Sequence, residues 1–309
     1  MIYLDYQATT PLAPEARDAM LRWLDGSRAV FGCAAGDVVG IAGCGTMGLP
    51  MAECLRRAGV EVWGHDVRPG DEFGDFAPRM ISDARDFAAR CDVVFSVVRD
   101  TAQTDALCFA PDQGILTDPK VRPEVFVTSS TLSPRYVADL AARMPDGVAF
   151  ADAPMSGAPY RAAKGTLSFM VGGADDLLAR LMPLLEIMGD GIHHLGGVGA
   201  GMTCKVLNNF VGVCGVVAVR KALAGARALG LDERRLLDVM RMSSGATWYG
   251  DNIDAIDWSR QGYDPGNTIG IIEKDVRAYL DAMSDGGGAF EDALLDELRA
   301  LEPLDLEKA

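Results

Sequence analysis

The sequence predicts an α/β fold: a doubly wound parallel sheet followed by an all-α C-terminal part built on one long helix. Three observations carry that prediction. Residues Val38 to Asp66 read as strand, glycine turn, helix and second strand, closed by an acid. Apolar strands then alternate with helical stretches as far as about residue 195. From Gly196 onward the periodicity is helical. The chain accordingly divides into an N-terminal extension (1–36), an α/β domain (37–195) and a helical domain (196–309).

Val38 to Ala42 is a short, β-branched apolar run suited to a strand buried on both faces. Gly43-Cys44-Gly45-Thr46-Met47-Gly48 then sets G-x-G-x-x-G where that strand turns into a helix. Gly43 permits the tight turn, Gly45 lets a pyrophosphate approach the backbone, and Gly48 lets helix and strand pack closely. The helix start around Thr46 and Met47 aims free N–H groups at the phosphates. Met51, Leu55 and Ala58 keep helical spacing, Gly59 is a natural C-cap, and Val60 to Trp63 resumes β character. Asp66 stands eighteen positions after Gly48, where an acid can bind the ribose hydroxyls of NAD. Together these residues predict a Rossmann dinucleotide site.

A length of 309 residues leaves room for two domains and a sizeable core. The net charge of −15 argues against nucleic acid and anionic membrane surfaces as partners, since both attract basic patches. The cysteines (Cys33, Cys44, Cys54, Cys91, Cys108, Cys204, Cys214) are scattered, without C-x-x-C or ligand-like clusters. They read as free thiols in a reducing cytoplasm, with no metal site. No charged and then apolar leader opens the chain, and no apolar run approaches the ~18 residues that span a bilayer.

Met1 to Gly36 is foreign to this plan. Ile2-Tyr3-Leu4 can form a strand, and Pro14 can open a helix through Ala16, Met20, Leu21 and Leu24. The text MIYLDYQATTPLAPEARDAMLRWL closely resembles the opening of cysteine desulfurases, PLP enzymes of the class V aminotransferase type. The likeness stops before any cofactor lysine or sulfur-carrying cysteine loop. It reads as a fusion, a rearrangement or a misplaced start, with Gly26 to Gly36 as the junction. A swapped arm between subunits stays open.

Beyond Asp66, Arg68-Pro69-Gly70 turns the chain, and Asp83 to Arg90 is helical. Asp92 to Val98 is a buried parallel strand with Val98, Arg99 and Thr101 at its carboxyl end, where open α/β sheets bind ligands. Glu124 to Thr128 is the next strand. Ser133 is an N-cap with Pro134 at N1, opening the helix Arg135 to Met144. Thr131 either reaches a nicotinamide ribose or is a plain loop hydroxyl. After the strand Gly147 to Ala151, Ser156 and the N–H groups of Gly157 and Ala158 can nest a carboxylate or simply form a turn. A short helical piece, Tyr160 to Lys164, and a buried strand within Gly165 to Gly173 follow.

Gly196, Gly197, Gly199 and Gly201 lead into a helix from about Met202 to Leu229. Lys205 and Asn209 share one face as i,i+4 neighbours. A lysine in the first turns opposes the helix dipole, so a bound anion would compensate, and burial would lower its pKa. A snorkelling lysine is the alternative. Val211 to Leu223 is apolar on all sides, as in a helix buried between domains or subunits. Helices follow at Glu233 to Met242, Ile269 to Met283 and Ala289 to Leu301. In isolation, Lys274-Asp275 reads as an exposed charge pair.

Four blocks in order give the chain a resemblance to the β-hydroxyacid dehydrogenase family, which includes 3-hydroxyisobutyrate and 6-phosphogluconate dehydrogenases. They are GIAGCGTMGLPMAECL (Gly40 to Leu55), DAPMSGAPYRAAKGTLSFMVGG (Asp152 to Gly173), GGVGAGMTCKVLNN (Gly196 to Asn209) and EKDV around Lys274. The resemblance implies a Rossmann domain, a helical domain for substrate and oligomer contacts, and a homodimer or homotetramer. It also implies hydride transfer between a nicotinamide and a small 3-hydroxy acid, 3-hydroxyisobutyrate-like, or its semialdehyde.

Carried over by position, Lys205 is the catalytic acid/base, and Ser156, Gly157 and Asn209 hold the substrate. Thr131 and Lys274 border the nicotinamide half of the cofactor. Three positions depart from the family pattern. Ala158 stands where Ser-Gly-Gly is usual, at the carboxylate pocket. Glu53-Cys54 replaces an asparagine pattern, and Val98-Arg99 replaces Leu-Pro and brings a cation near cofactor or substrate. Asp66 favours NAD because a carboxylate repels a 2′-phosphate, while Arg68 keeps NADP open. An imine reductase of the same fold would carry another residue at Lys205. The remaining alternative is a non-catalytic NAD-binding module.

Overall fold

The computed structural model describes residues 36–283 and 286–306; the cysteine desulfurase-like stretch and Cys33 lie outside them. Five parallel strands form the central sheet: β1 (Val39–Ala42), β2 (Val62–His65), β3 (Val93–Ser96), β4 (Val125–Thr128) and β5 (Ala149–Asp152). Their order is β2-β1-β3-β4-β5, so the chain reverses direction of winding beside β1. The register aligns His65, Ala42, Ser96, Thr128 and Asp152 across the carboxyl edge. That edge, at the switch point, is where such sheets bind ligands.

The inner strands β1, β3 and β4 are buried on both faces because helices cover both. On one face Ile41, Phe95 and Val127 pack with Met51 and Leu55 of α1 (Gly48–Arg57). On the other, Val94 and Phe126 pack with residues of three helices. These are Phe87 of α2 (Ala84–Arg90), Leu107 of α3 (Thr101–Phe109) and Leu140 of α4 (Pro134–Ala142). Ser133 caps α4, accepting from the Arg135 N–H with Pro134 beside it, as the sequence indicates.

The doubly wound sheet ends at Asp152. The strands after it pair separately, β6 (Met155–Ser156) antiparallel to β7 (Leu167–Val171), and β7 parallel to β8 (Gly189–His194). Between them run α5 (Ala158–Lys164) and α6 (Asp175–Met188). An antiparallel bridge from Asp152 to Gly172 joins the two sheets. Helix α3, helix α6 and strand β8 are additions to the sequence reading.

Helix α7 (Ala200–Ala228) is 29 residues long and leads into α8 (Glu233–Arg241), α9 (Trp248–Asp251), α10 (Thr268–Ala282) and α11 (Ala289–Arg299). Its first turns reach the sheet through Met202; beyond Val213 it forms the core of the helical part with Leu237, Ile269, Val276 and Leu298. One sequence expectation needs correction here. By length and composition α7 is apolar enough to cross a membrane, at a mean hydropathy of 1.6 over its best window. In the single chain Val211 is 68% exposed, and Leu207 one turn before it is also exposed. Arg220 is buried on this helix and donates to the carbonyls of Ser259, Gln261 and Glu302.

Helix α10 is fastened by one carboxylate. Glu273 is buried and accepts from Arg299 of α11, from Arg277 one turn on, and from the Tyr263 hydroxyl. The Arg299 guanidinium leads the effects that outweigh burial and hold its pKa at about 2. A depressed carboxylate stabilises the fold above its ordinary titration range and loses that contribution as the pH falls through that range toward about 2. Glu273→Ala should lower unfolding free energy by about 1–3 kcal/mol at neutral pH. Urea denaturation should show the difference shrinking in strong acid.

Candidate active site

The glycine turn closes as its residue types require. Gly43 has φ +91°, and a Cβ there would fall 2.7 Å from the carbonyl carbon of Val97. A Cβ on Gly48 would collide with the Gly43 carbonyl oxygen. At Gly45 a Cβ would meet nothing within 4 Å, so the open side of the turn faces a cradle large enough for a phosphate. No side chain caps α1, and its first turn carries no acid, which leaves the helix dipole for an anionic ligand.

A cleft of about 1280 Å³ opens over the carboxyl edge of the sheet. Its walls include Gly43, Gly45, Thr46, Met47, Asp66, Arg68, Val98, Arg99, Thr131 and Lys274, so these sequence candidates share one cavity. Gly48 lies beneath the turn. Ala106 and Leu107 of α3 and Ala110 just after it add apolar lining to the cleft. The Ser129 hydroxyl lies in the same wall, buried and without a hydrogen-bond partner. A glycine cradle, an uncapped helix, an acid at the β2 end and an orphaned hydroxyl fit a dinucleotide.

Asp66 does not stand alone. Arg68 donates to it through its backbone N–H and guanidinium, both at 3.1 Å, reaches the Cys44 carbonyl at 2.9 Å, and stacks over Phe73. Burial raises the Asp66 pKa, but these hydrogen bonds and the Arg68 charge more than offset it, holding the carboxyl below its usual range.

A second cluster lies where α7 and α10 meet the loop after β4. Lys205 is buried, and its Nζ has no hydrogen bond or ion pair among the described residues. Burial lowers its pKa to about 8; Asp275 opposes that shift and Lys274 reinforces it. Asn209 donates to Asp275 Oδ2 at 2.7 Å, and Lys274 Nζ donates to Asp275 Oδ1 at 3.0 Å and to the Thr131 carbonyl at 2.7 Å. Asp275 is buried, which corrects its reading as half of an exposed charge pair. It is the residue that ties α7, α10 and the cleft together, and the EKDV block was its only sequence signal.

Ser156, Gly157 and Ala158 sit on β6 and the start of α5, and Lys205 and Asn209 on α7; none of the five lines the large cleft. They adjoin it through Met155 and Asp275, which do. Gly157 has φ +142°, and Ala158 has φ +59°, the one left-handed residue other than glycine among those described.

Sequence reasoning gave no role to Asp152, the last residue of β5. It is fully buried, and its carboxylate accepts from the N–H groups of Gly199 and Met202, both at 2.6 Å. It therefore caps α7 from a distant strand. Burial pushes its pKa up, and the two N–H groups counter that.

These features define an NAD(P)-binding oxidoreductase of Rossmann type with a helical C-terminal part. A family model described as the NAD binding domain of 6-phosphogluconate dehydrogenase matches residues 38–197. A second, described as the NAD-binding domain of NADP-dependent 3-hydroxyisobutyrate dehydrogenase, matches residues 199–293. Mitochondrial 3-hydroxyisobutyrate dehydrogenase of Homo sapiens is 32% identical over 80% of this chain and 75% of its own. The 2-hydroxy-3-oxopropionate reductase of Escherichia coli is 31% identical over 78% and 82%. Among solved structures, Mycobacterium tuberculosis 3-hydroxyisobutyrate dehydrogenase with L-serine is similar at 28% identity and a TM-score of 0.67, covering 84% and 91% of the two chains. The chain belongs to the β-hydroxyacid dehydrogenase family, and it is an NAD(P)-dependent enzyme.

Asp152→Ala should cost about 2–4 kcal/mol, because two buried N–H groups lose their acceptor. Asp152→Asn keeps one acceptor oxygen and should cost less. Urea unfolding of the two variants orders them.

Proposed function

We propose that this enzyme interconverts a small 3-hydroxy acid and its semialdehyde, with Lys205 as general acid/base. The observation that carries the reading is the buried, unpartnered Lys205 amine, one turn from Asn209 and beside Asp275, with its pKa lowered by burial to about 8. The bound nicotinamide supplies the chemistry of hydride transfer at the carbon bearing the hydroxyl. In oxidation the neutral Lys205 Nζ takes the hydroxyl proton, and in reduction the ammonium returns it. Asn209, fixed by Asp275, would orient the substrate oxygen. Ser156 with the N–H groups that follow it would hold the carboxylate, with the Ala158 methyl bordering that nest. Lys205 also counts against the imine reductase alternative.

NAD is the preferred cofactor in this reading, since Asp66 places negative charge where a 2′-phosphate would lie. The reading includes a homo-oligomer in the cytoplasm. Leu207 and Val211 leave apolar surface on α7 that a second copy would cover, and the six described cysteines are all free. No nucleic acid, membrane or metal belongs to it.

Lys205→Ala should lower kcat/KM by about 100-fold or more while leaving NADH affinity within a factor of two or so. In the wild type, kcat/KM for oxidation should rise with pH to a plateau above about 8, because the neutral amine is the base. For reduction it should fall through the same range. A nicotinamide-absorbance assay on a panel of 3-hydroxy acids and semialdehydes reads all three; no turnover on any of them sinks the proposal.

Asp66→Asn should weaken NADH and strengthen NADPH, moving the ratio of their dissociation constants by about tenfold or more. Fluorescence titration with both reduced cofactors decides the point.

A further inference from the structure

Three basic side chains line the dinucleotide cleft: Arg68, Arg99 and Lys274. Two are committed. Arg68 is bound to Asp66 and the Cys44 carbonyl, and Lys274 to Asp275 and the Thr131 carbonyl. The Arg99 guanidinium has no hydrogen bond or ion pair among the described residues. Its main chain is nevertheless fixed. The Arg99 N–H donates to Gln103 Oε1 at 2.9 Å, and the Gln103 N–H donates to Asp100, the cap of α3. Just before it, the main chain at Val97 and Val98 presses on the glycine turn, within 2.8 Å of where a Gly43 Cβ would stand.

Arg99 thus follows β3 on one side of β1, while Asp66 and Arg68 follow β2 on the other. With strands about 4.8 Å apart, the two ends are separated by roughly 10 Å. The adenosine ribose belongs to the β2 side, and the phosphates belong over the turn between the two. The turn's own residues offer a pyrophosphate main-chain N–H groups, and Arg68, which reaches the Cys44 carbonyl, is already held by Asp66.

We infer that Arg99 is a pyrophosphate clamp, closing on the dinucleotide from the β3 side opposite the glycine turn. The inference rests on the NAD(P)-binding reading of the cleft. A planar guanidinium suits two phosphate oxygens, and a charge-assisted pair of this kind adds affinity without reference to the 2′ position. The clamp therefore serves NAD and NADP alike, and cofactor choice stays with Asp66 and Arg68.

The test measures dissociation constants of NADH, NADPH and ADP, with adenosine as a competitor, for wild type, Arg99→Ala and Arg99→Lys. Arg99→Ala should weaken NADH, NADPH and ADP alike by about tenfold, leave adenosine unchanged and flatten the salt dependence of ADP binding. Arg99→Lys should recover part of the loss, and both variants should melt at the wild-type temperature without ligand. Unchanged ADP affinity in Arg99→Ala overturns the clamp. So does a loss confined to NADPH, which would assign Arg99 to the 2′-phosphate, or an equal loss for adenosine, which would make it a base-stacking residue. A wild-type protein that binds none of the nucleotides instead overturns the cofactor reading on which the clamp rests.

Discussion

The position of Lys205 depends on a carboxylate it does not touch. Asp152 ends the last strand of the parallel sheet and receives the N–H groups of Gly199 and Met202, so the sheet itself caps the helix that carries the lysine. The approach is close enough that a Cβ on Gly172 would collide with Asp152 Oδ1, and one on Gly201 would lie 2.9 Å from Oδ2. A buried carboxylate is costly on its own. Here the two N–H groups and the positive end of a long helix offset much of that cost. The outcome is a direct joint between the carboxyl edge of the sheet and the helix that carries Lys205.

Helix α10 completes the arrangement through three consecutive residues pointing different ways. Glu273 turns into the helical part, toward Arg299 and Tyr263. Lys274 reaches across to the loop after β4, and Asp275 takes both Lys274 and Asn209. Glu273 holds the helix in place, and Asp275 uses that fixed placement to set the asparagine on α7. Asp275 also faces Lys205, where its charge opposes the effect of burial. Burial, reinforced by the Lys274 charge, lowers the pKa of the amine to about 8 against the opposing pull of Asp275.

The parts legible in the sequence were those where a residue type has one physical job. A glycine turn, an acid after the second strand and a Ser-Pro helix start each announce themselves locally, as do all-apolar strands. The parts that were not legible depend on partners far along the chain. Helix α3 carries Thr104 among its buried residues, so its pattern is diluted, and β8 is the polar, glycine-containing GDGIHH. Asp275 looks like any surface acid until α7 is folded against it. Asp152 looks like the end of a strand until Gly199 and Met202 arrive, some fifty residues later. The uniform apolarity of α7 did not reveal which of its sides the single chain covers: Val213 is buried and Val211 is exposed.

Ala158 holds a backbone conformation that ordinarily favours glycine. The backbone after Ser156 keeps two successive positive φ values, +142° at Gly157 and +59° at Ala158. A left-handed alanine costs about 1 kcal/mol that glycine would avoid. The surroundings sustain the strain. Ser156 is paired with Ser168 on β7, and Arg161 of α5 is bound to Asp190 of β8 at 2.9 Å. Both ends of the turn are thus tied to the second sheet. The methyl group consequently stands at the candidate carboxylate nest as a change in its lining, not in its frame.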